Sequence, residues 1–362
     1  MSRTKLLTTN RRRWTQGFAN GSATFLIAAL FSGKFYLLFS FLFGYSSSYV
    51  MRGDKSNRVR WVKRCLVLMA FGAFHFAFLW HGDIIFVYGL LGLLLTFFFF
   101  RTDKTLKIWS WIVFSVSTVF IVLIGLFALV VEFLLEEDLG LSTVSSLDQV
   151  LRNGTFLESI PARLELWLLS ISLGVFLQGG LAFAAFLLGI LLARSNFLSS
   201  PINKRSNSKL MKIGLLLGLP IQIIAAVILL QNEQSADPSE SVYLIALIAS
   251  FVTAPLLSIF YVGLIRKLVE ERPHLVAWMK PAGKMSLTIY ISQSVITSLI
   301  FSPWGLGLFQ DLQTWQVFLL AFGIWLLLAY LASHWLKRFD QGPLENLVST
   351  LTKNRKTPKS IV

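Results

Sequence analysis

The sequence predicts an all-α fold, a polytopic transmembrane helical bundle of nine or ten spans with a cytoplasmic C-terminus, and three observations carry that expectation. Of the 362 residues, 55% are hydrophobic, only 14% are charged and 32 are Phe. With a mean hydropathy of +0.68, that balance lies beyond what a soluble domain carries. The apolar residues are gathered into long windows, and the basic residues recur at alternate interruptions between them.

The windows fall near 33–51, 65–80, 84–100, 108–134, 163–193, 213–230, 241–265, 285–301 and 315–336. At 1.5 Å per helical residue they suit roughly 30 Å of hydrocarbon, the shortest only marginally. A weaker tenth stretch runs from Phe18 to Phe31 and contains Asn20, Gly21 and Ser22. It either crosses the membrane or lies along its outer surface after an earlier crossing helix. Pro220 and Pro255 are the mid-span interruptions.

Juxtamembrane Lys and Arg stay cytoplasmic during insertion, whereas acidic residues exert little control. Placing the loop after the first strong span inside puts 30 of the 33 basic residues on one side, leaving out Lys34, Arg152 and Arg163. The other side receives Asp83, the acidic stretch from Glu136 to Glu158 and the connection from Gln231 to Glu240. The net charge of +15 is therefore one of membrane orientation and attraction to anionic lipid. Nucleic acid is not expected as a partner, because the basic residues are scattered over six short segments without a binding pattern.

The whole of 1–362 reads as one membrane domain: a basic N-terminus with the weak segment over 1–32, the bundle over 33–336 and a basic cytoplasmic tail over 337–362. Glu136 to Pro161 reads as a partial helix on the outer surface. In the tail, the spacing of Leu344, Leu347, Val348 and Leu351 is amphipathic. Cys65, the one cysteine, has no partner for an internal disulfide.

The chemically richest run is Trp80-His81-Gly82-Asp83, at the outer mouth between two apolar windows. Ionisable groups near a bilayer are costly unless paired or hydrated. A histidine there can act as base toward an acceptor hydroxyl, with a carboxylate orienting it. His81 is thus the expected base and Asp83 its partner. His75, six residues earlier and about 9 Å deeper in a regular helix, is a weaker candidate. The plainer reading is a polar turn in which Gly82 permits the reversal, Asp83 caps the following helix and Trp80 anchors at the interface.

Lys34 can bind an anionic substrate group or snorkel to headgroups. Arg163 opens the fifth window and reaches Asp83, a substrate or an ion-pair partner on another helix. Gln178 and Gln293 read as amide bridges between helices, with a cavity-lining role as the alternative for Gln293. His274 and His334 read as interfacial, and the run Phe97 to Phe100 as lipid-facing bulk. The absence of a phosphate-binding glycine loop, paired CxxC or HExxH leaves an ATPase or zinc protease with no motif. No metal is expected at His75, His81 and Asp83, which lack further ligands.

Several strings together resemble a known family. Gly33-Lys34-Phe35-Tyr36 through Gly44, Trp80-His81-Gly82-Asp83-Ile84, Tyr88-Gly89-Leu90-Leu91-Gly92, Gly283-Lys284-Met285-Ser286-Leu287-Thr288-Ile289-Tyr290-Ile291-Ser292-Gln293-Ser294 and Phe339-Asp340-Gln341-Gly342-Pro343-Leu344-Glu345 are similar, in order, to the YeiB-like family of bacterial membrane proteins (domain of unknown function 418). Two departures stand out: the family's opening Leu-Asp-x-Leu-Arg-Gly-Phe motif has no match, and Ile289 replaces an Asn. The family is remotely grouped with transmembrane acyltransferases, which move acyl groups from a cytoplasmic donor to extracytoplasmic acceptors. The resemblance implies a multi-pass protein of the bacterial cytoplasmic membrane. It implies acyl transfer to an envelope acceptor, with acyl-CoA as donor and no tightly bound cofactor. Lys34, Arg163, Tyr290 and Gln293 are then the expected substrate-binding residues. A small-solute transporter and a non-catalytic membrane protein are the alternatives.

Overall fold

The computed structural model describes residues 17–136, 139 and 146–353. The basic residues expected at 3–13 and 355–359, with Glu137 and Asp138, lie outside them. Among the described residues, seven helices are long and apolar enough to cross a membrane: α1 (Gly17–Met51), α2 (Lys55–Phe78), α4 (Asp103–Leu134), α7 (Trp167–Arg194), α8 (Lys204–Glu233), α9 (Glu240–Glu271) and α11 (Thr314–Trp335). Two shorter apolar helices, α3 (Ile85–Phe97) and α10 (Ser286–Phe301), fall at further expected windows. Helices α5 (Ser146–Asn153) and α6 (Phe156–Glu165) occupy the expected surface stretch, and α12 (Pro343–Thr352) lies in the tail. No strand occurs among the described residues.

The weak tenth stretch is helical and continuous with the following window. It is the first half of α1, joined to the window at 33–51 through a π-helical turn (Ile27–Phe31) and a break at Ser32 and Gly33. Gly33 has φ +78° and sits against Phe251 and Ala254 in the middle of α9. The break places Lys34 deep inside the bundle, fully buried, rather than at its outer edge. Further π turns lie at Gly174–Gly179 and Gly214–Gly218. Pro255 does not interrupt α9, and Pro220 follows a π turn instead of causing a break of its own.

Small residues let the central helices approach closely, as packing in lipid requires. A Cβ on Gly44 of α1 would overlap the Phe186 backbone of α7, and one on Gly189 would overlap Phe41 and Tyr45. Gly214 and Gly218, four residues apart on α8, meet the Leu256–Leu257 backbone of α9 in the same way. The main apolar cluster lies between α1, α2, α3 and α7, with Trp61, Cys65, Leu91, Leu95, Phe186 and Leu187 nearly or wholly inaccessible. The aromatic run after Thr96 belongs partly to it: Phe99 packs edge-on to Trp61 at 5.3 Å, and Phe100 carries Lys55 and Arg58 over its ring. Phe97 alone is strongly exposed, at 69%. The expectation of lipid-facing bulk fails for the others because the chain turns at Phe98 and folds the next rings back onto α2.

The two ends of the bundle differ in charge. At one end Arg194 binds Asp103 and the carbonyls of Phe99 and Arg101, and Arg266 covers Phe197. The opposite end gathers Asn20 against Gln313, Gly21 against Gln234, and Arg163 against Ala77. Helix α10 starts at the basic end under a cap from the tail. Both Glu345 carboxylate oxygens are used: Oε1 accepts the Leu287 and Thr288 N–H at 2.7 and 3.1 Å, and Oε2 accepts the Thr288 hydroxyl at 2.6 Å. The signature around Gly283–Ser294 and the Phe339–Glu345 string are thereby one structural unit.

Because a carboxylate at a helix N-terminus satisfies otherwise orphaned N–H groups, Glu345→Ala is expected to destabilise the protein by roughly 1–2 kcal/mol. Glu345→Gln should cost less, as the amide oxygen still accepts. Thermal unfolding of both variants in detergent, followed by tryptophan fluorescence, checks this order; equal midpoints would remove the capping account.

Candidate active site

Asp83 faces His75, not His81. The α2 helix ends at Phe78, with the Leu79 and Trp80 N–H groups both bonded to the His75 carbonyl. The turn over 79–84 then reverses the chain into α3. Asp83 Oδ1 accepts the Phe86 N–H at 2.7 Å, so the capping expected of this carboxylate is present. Its other oxygen, Oδ2, lies 2.8 Å from His75 Nδ1, with both side chains inaccessible (0% and 1%). The pair lacks the alignment of a hydrogen bond, and neither atom has another partner. Such slack is common in catalytic pairs before substrate binds.

The second imidazole nitrogen is engaged from α10. His75 Nε2 is 2.7 Å from Ser294 Oγ, and the ring lies 5.0 Å from that of Tyr290. One turn further, the Ser298 hydroxyl donates to the Leu79 carbonyl at 3.0 Å. The imidazole is therefore placed between a carboxylate and a hydroxyl. With Nδ1–H toward Asp83, Nε2 is left to accept the Ser294 proton. That is the arrangement of a general base: an orienting acid on one side and an ionisable hydroxyl on the other.

His81 lies beside this group. Its ring lies 4.6 Å from that of Trp80 at a tilted angle, half-buried in the 79–84 turn. Burial, then the Arg163 charge, lower its pKa from the ordinary 6.5, with Asp148 opposing. Arg163 is buried on α6 rather than opening the fifth span. It donates to Ser159 Oγ at 2.9 Å and the Ala77 carbonyl at 3.2 Å, and lies over the Trp304 ring. Its role is to close the C-terminal turn of α2, in place of the expected contact with Asp83 or a helix-to-helix ion pair.

Lys34 belongs to a separate network. Its Nζ donates to the Ala28 carbonyl at 2.7 Å, within the π turn of α1, and to Ser250 Oγ at 3.3 Å. Gln222 on α8 bridges to the Ser250 carbonyl and to Thr253, both at 2.9 Å. This is the buried amide bridge anticipated for Gln178 and Gln293, neither of which makes a side-chain hydrogen bond among the described residues. Of the expected substrate-binding residues, Tyr290 joins His75, Gln293 lies next to Ser294 in the chain, and Lys34 and Arg163 are held by contacts of their own.

Ser294 was present in the signature string but carried no chemical signal. Its partner lies 219 residues away, a separation that only the fold closes. The one readable hint was its place four residues after Tyr290, on one face of α10.

The fold and this cluster define a membrane-embedded helical protein with an imidazole held between a carboxylate and a hydroxyl. Residues 192–355 match the family described as "Protein of unknown function (DUF418)". The chain is 26% identical to the uncharacterized protein YxaH of Bacillus subtilis (strain 168), over 94% of this chain and 84% of that protein. It is also 26% identical to the uncharacterized protein YeiB of Escherichia coli (strain K12), over 95% of this chain and 86% of that protein. A 39.9 kDa protein from the amylase 3′ region of Bacillus acidopullulyticus shares 32% identity over 29% of this chain and 31% of its own. No solved structure matches. These matches make the chain similar to the YeiB-like DUF418 proteins over most of its length.

Two outcomes follow from the site. Asp83→Asn keeps an acceptor for the Phe86 N–H while Asp83→Ala removes it, so the alanine variant should be less stable by about 1 kcal/mol, read by thermal unfolding in detergent. A His81 pKa below 6.5 means that unfolding takes up a proton as pH falls through that value, so this group's contribution to stability declines there and is constant above it. Diethylpyrocarbonate should accordingly still modify His81 in the folded protein at pH values where a free imidazole is protonated; a midpoint at or above 6.5 would contradict this environment.

Proposed function

We propose that this protein transfers acyl groups across the bacterial cytoplasmic membrane, from a cytoplasmic acyl-CoA donor to a hydroxyl of an extracytoplasmic, envelope-borne acceptor. The observation that carries the reading is the imidazole of His75 between Asp83 Oδ2 and an oxygen on α10. Acyl transfer needs a base that removes a hydroxyl proton and a carboxylate that orients and stabilises the resulting imidazolium. His75 is the base in this proposal and Asp83 its partner. His81, whose pKa is lowered in the turn, is suited to accept a hydrogen bond from the incoming hydroxyl. Tyr290 and Gln293 line the approach along α10. The positive-inside reading puts the basic end at the cytoplasm, where the anionic donor arrives, and the 79–84 turn toward the acceptor.

A second reading, small-solute transport, is favoured by the break in α1. Discontinuous helices with freed carbonyls are where transporters bind ions and solutes, and Lys34 occupies such a carbonyl at Ala28.

Membranes from cells with the wild-type protein, His75→Ala, His81→Ala or no protein, given labelled acetyl-CoA and profiled for acylated glycans and lipids, separate the two. A product that depends on the protein and falls about a hundredfold or more in His75→Ala, with a smaller loss in His81→Ala, supports acyl transfer. Uptake of a solute that depends on Lys34, with no protein-dependent product, overturns it.

A further inference from the structure

We propose that Ser294 is the nucleophile of this site and carries the acyl group covalently between donor and acceptor. The inference rests on the acyl-transfer reading and adds a reaction intermediate to it.

The carrying observation is where the Ser294 proton can go. A serine inside a helix can donate to the carbonyl four residues back, and several helical hydroxyls here do so at short range: Ser40 to Tyr36 at 2.7 Å, Thr253 to Ala249 at 2.6 Å, Thr352 to Val348 at 2.8 Å. Ser294 approaches the Tyr290 carbonyl only at 3.4 Å, while its Oγ lies 2.7 Å from His75 Nε2. The hydroxyl is aimed at a base. Beyond that base stands a buried carboxylate with no other use for Oδ2. His75 and Asp83 are inaccessible, whereas Ser294 retains some exposure, the order in depth that a nucleophile and its supporting groups require.

The position along the helix fits a relay. Ser294 is eight residues into α10, about 12 Å from its basic-end start and a similar distance from its other end. A thioester entering from the basic end and a hydroxyl entering from the opposite end would travel similar distances along the helix to meet it.

The steps balance without a further reactant. Ser294 Oγ attacks the thioester carbonyl as its proton passes to His75 Nε2. The tetrahedral adduct collapses with cleavage of the carbon–sulfur bond, and His75 gives the proton to the departing thiolate, leaving free thiol and acyl-serine. The acceptor hydroxyl then loses its proton to His75 and attacks the acyl-serine carbonyl. The serine ester bond breaks, the proton returns to Ser294, and the acceptor leaves as an ester.

The test uses the full chain in detergent with a fluorophosphonate probe, which labels activated serines independently of any donor or acceptor. Peptide mass spectrometry of the wild-type protein should place the label on Ser294. Labelling should disappear in Ser294→Ala, fall at least tenfold in His75→Gln and persist in Ser298→Ala. Labelling absent from Ser294, or unaffected by His75→Gln, overturns the proposal. Because the label is mapped in the unsubstituted chain, its absence there counts against Ser294 whether or not a variant folds. Incubation with labelled acetyl-CoA keeps the two readings apart. Acylated product that persists in Ser294→Ala, without the fluorophosphonate adduct, removes the covalent step and leaves acyl transfer standing; a Ser294 adduct without any acylated product upholds the nucleophile and removes the donor.

Discussion

One carboxylate with two obligations sets the geometry of the 79–84 end of the bundle. Asp83 Oδ1 starts α3 by accepting the Phe86 N–H, and Oδ2 faces the imidazole of α2. An ionisable side chain in an apolar setting persists only with partners, and here one residue supplies a partner to a backbone donor and to a histidine at once. The turn, the reversal of the chain and the imidazole's orientation therefore depend on one another. The cap that Asp83 provides and its contact with His75 are two ends of one group, not alternatives.

The remainder of the bundle keeps that arrangement in place by different means. Between α1 and α7, and between α8 and α9, glycines bring backbones together so closely that a single methyl would collide. Dense van der Waals contact is what holds helices in lipid, where burial of apolar surface offers little. Around α10 the attachment is polar instead: Glu345 at its start, His75 in its middle and the Leu79 carbonyl one turn beyond. Arg163 completes the same end by closing α2 through Ala77.

Much of the fold was legible in the sequence because hydrophobic length and the placement of basic residues are properties of continuous stretches. The long windows and the surface helices at 146–165 reappear, with ends shifted by several residues. What escaped were features that depend on distant pairings. The Phe18–Phe31 stretch looked weak because Asn20, Gly21 and Ser22 lower its hydropathy, yet Asn20 meets Gln313 and Gly21 meets Gln234 across the bundle. His81 and Asp83 were coupled by proximity in sequence, whereas the α2 helix ends in a way that presents His75 to the carboxylate. Phe99 looked like its neighbours until the turn at Phe98 carried it onto Trp61. Ser294 could not be matched to its base without the fold, and Lys34, at the edge of a hydropathy window, is internal because a helix continues on both sides of it.

Helix α10 contains no fully buried residue. Its seating rests on polar contacts instead, among them the Ser294 hydroxyl against the His75 imidazole. Any molecule whose own hydroxyl displaces Ser294 from His75 Nε2 also undoes one of the fastenings of the helix, so occupancy of the site and the seating of α10 become a single equilibrium.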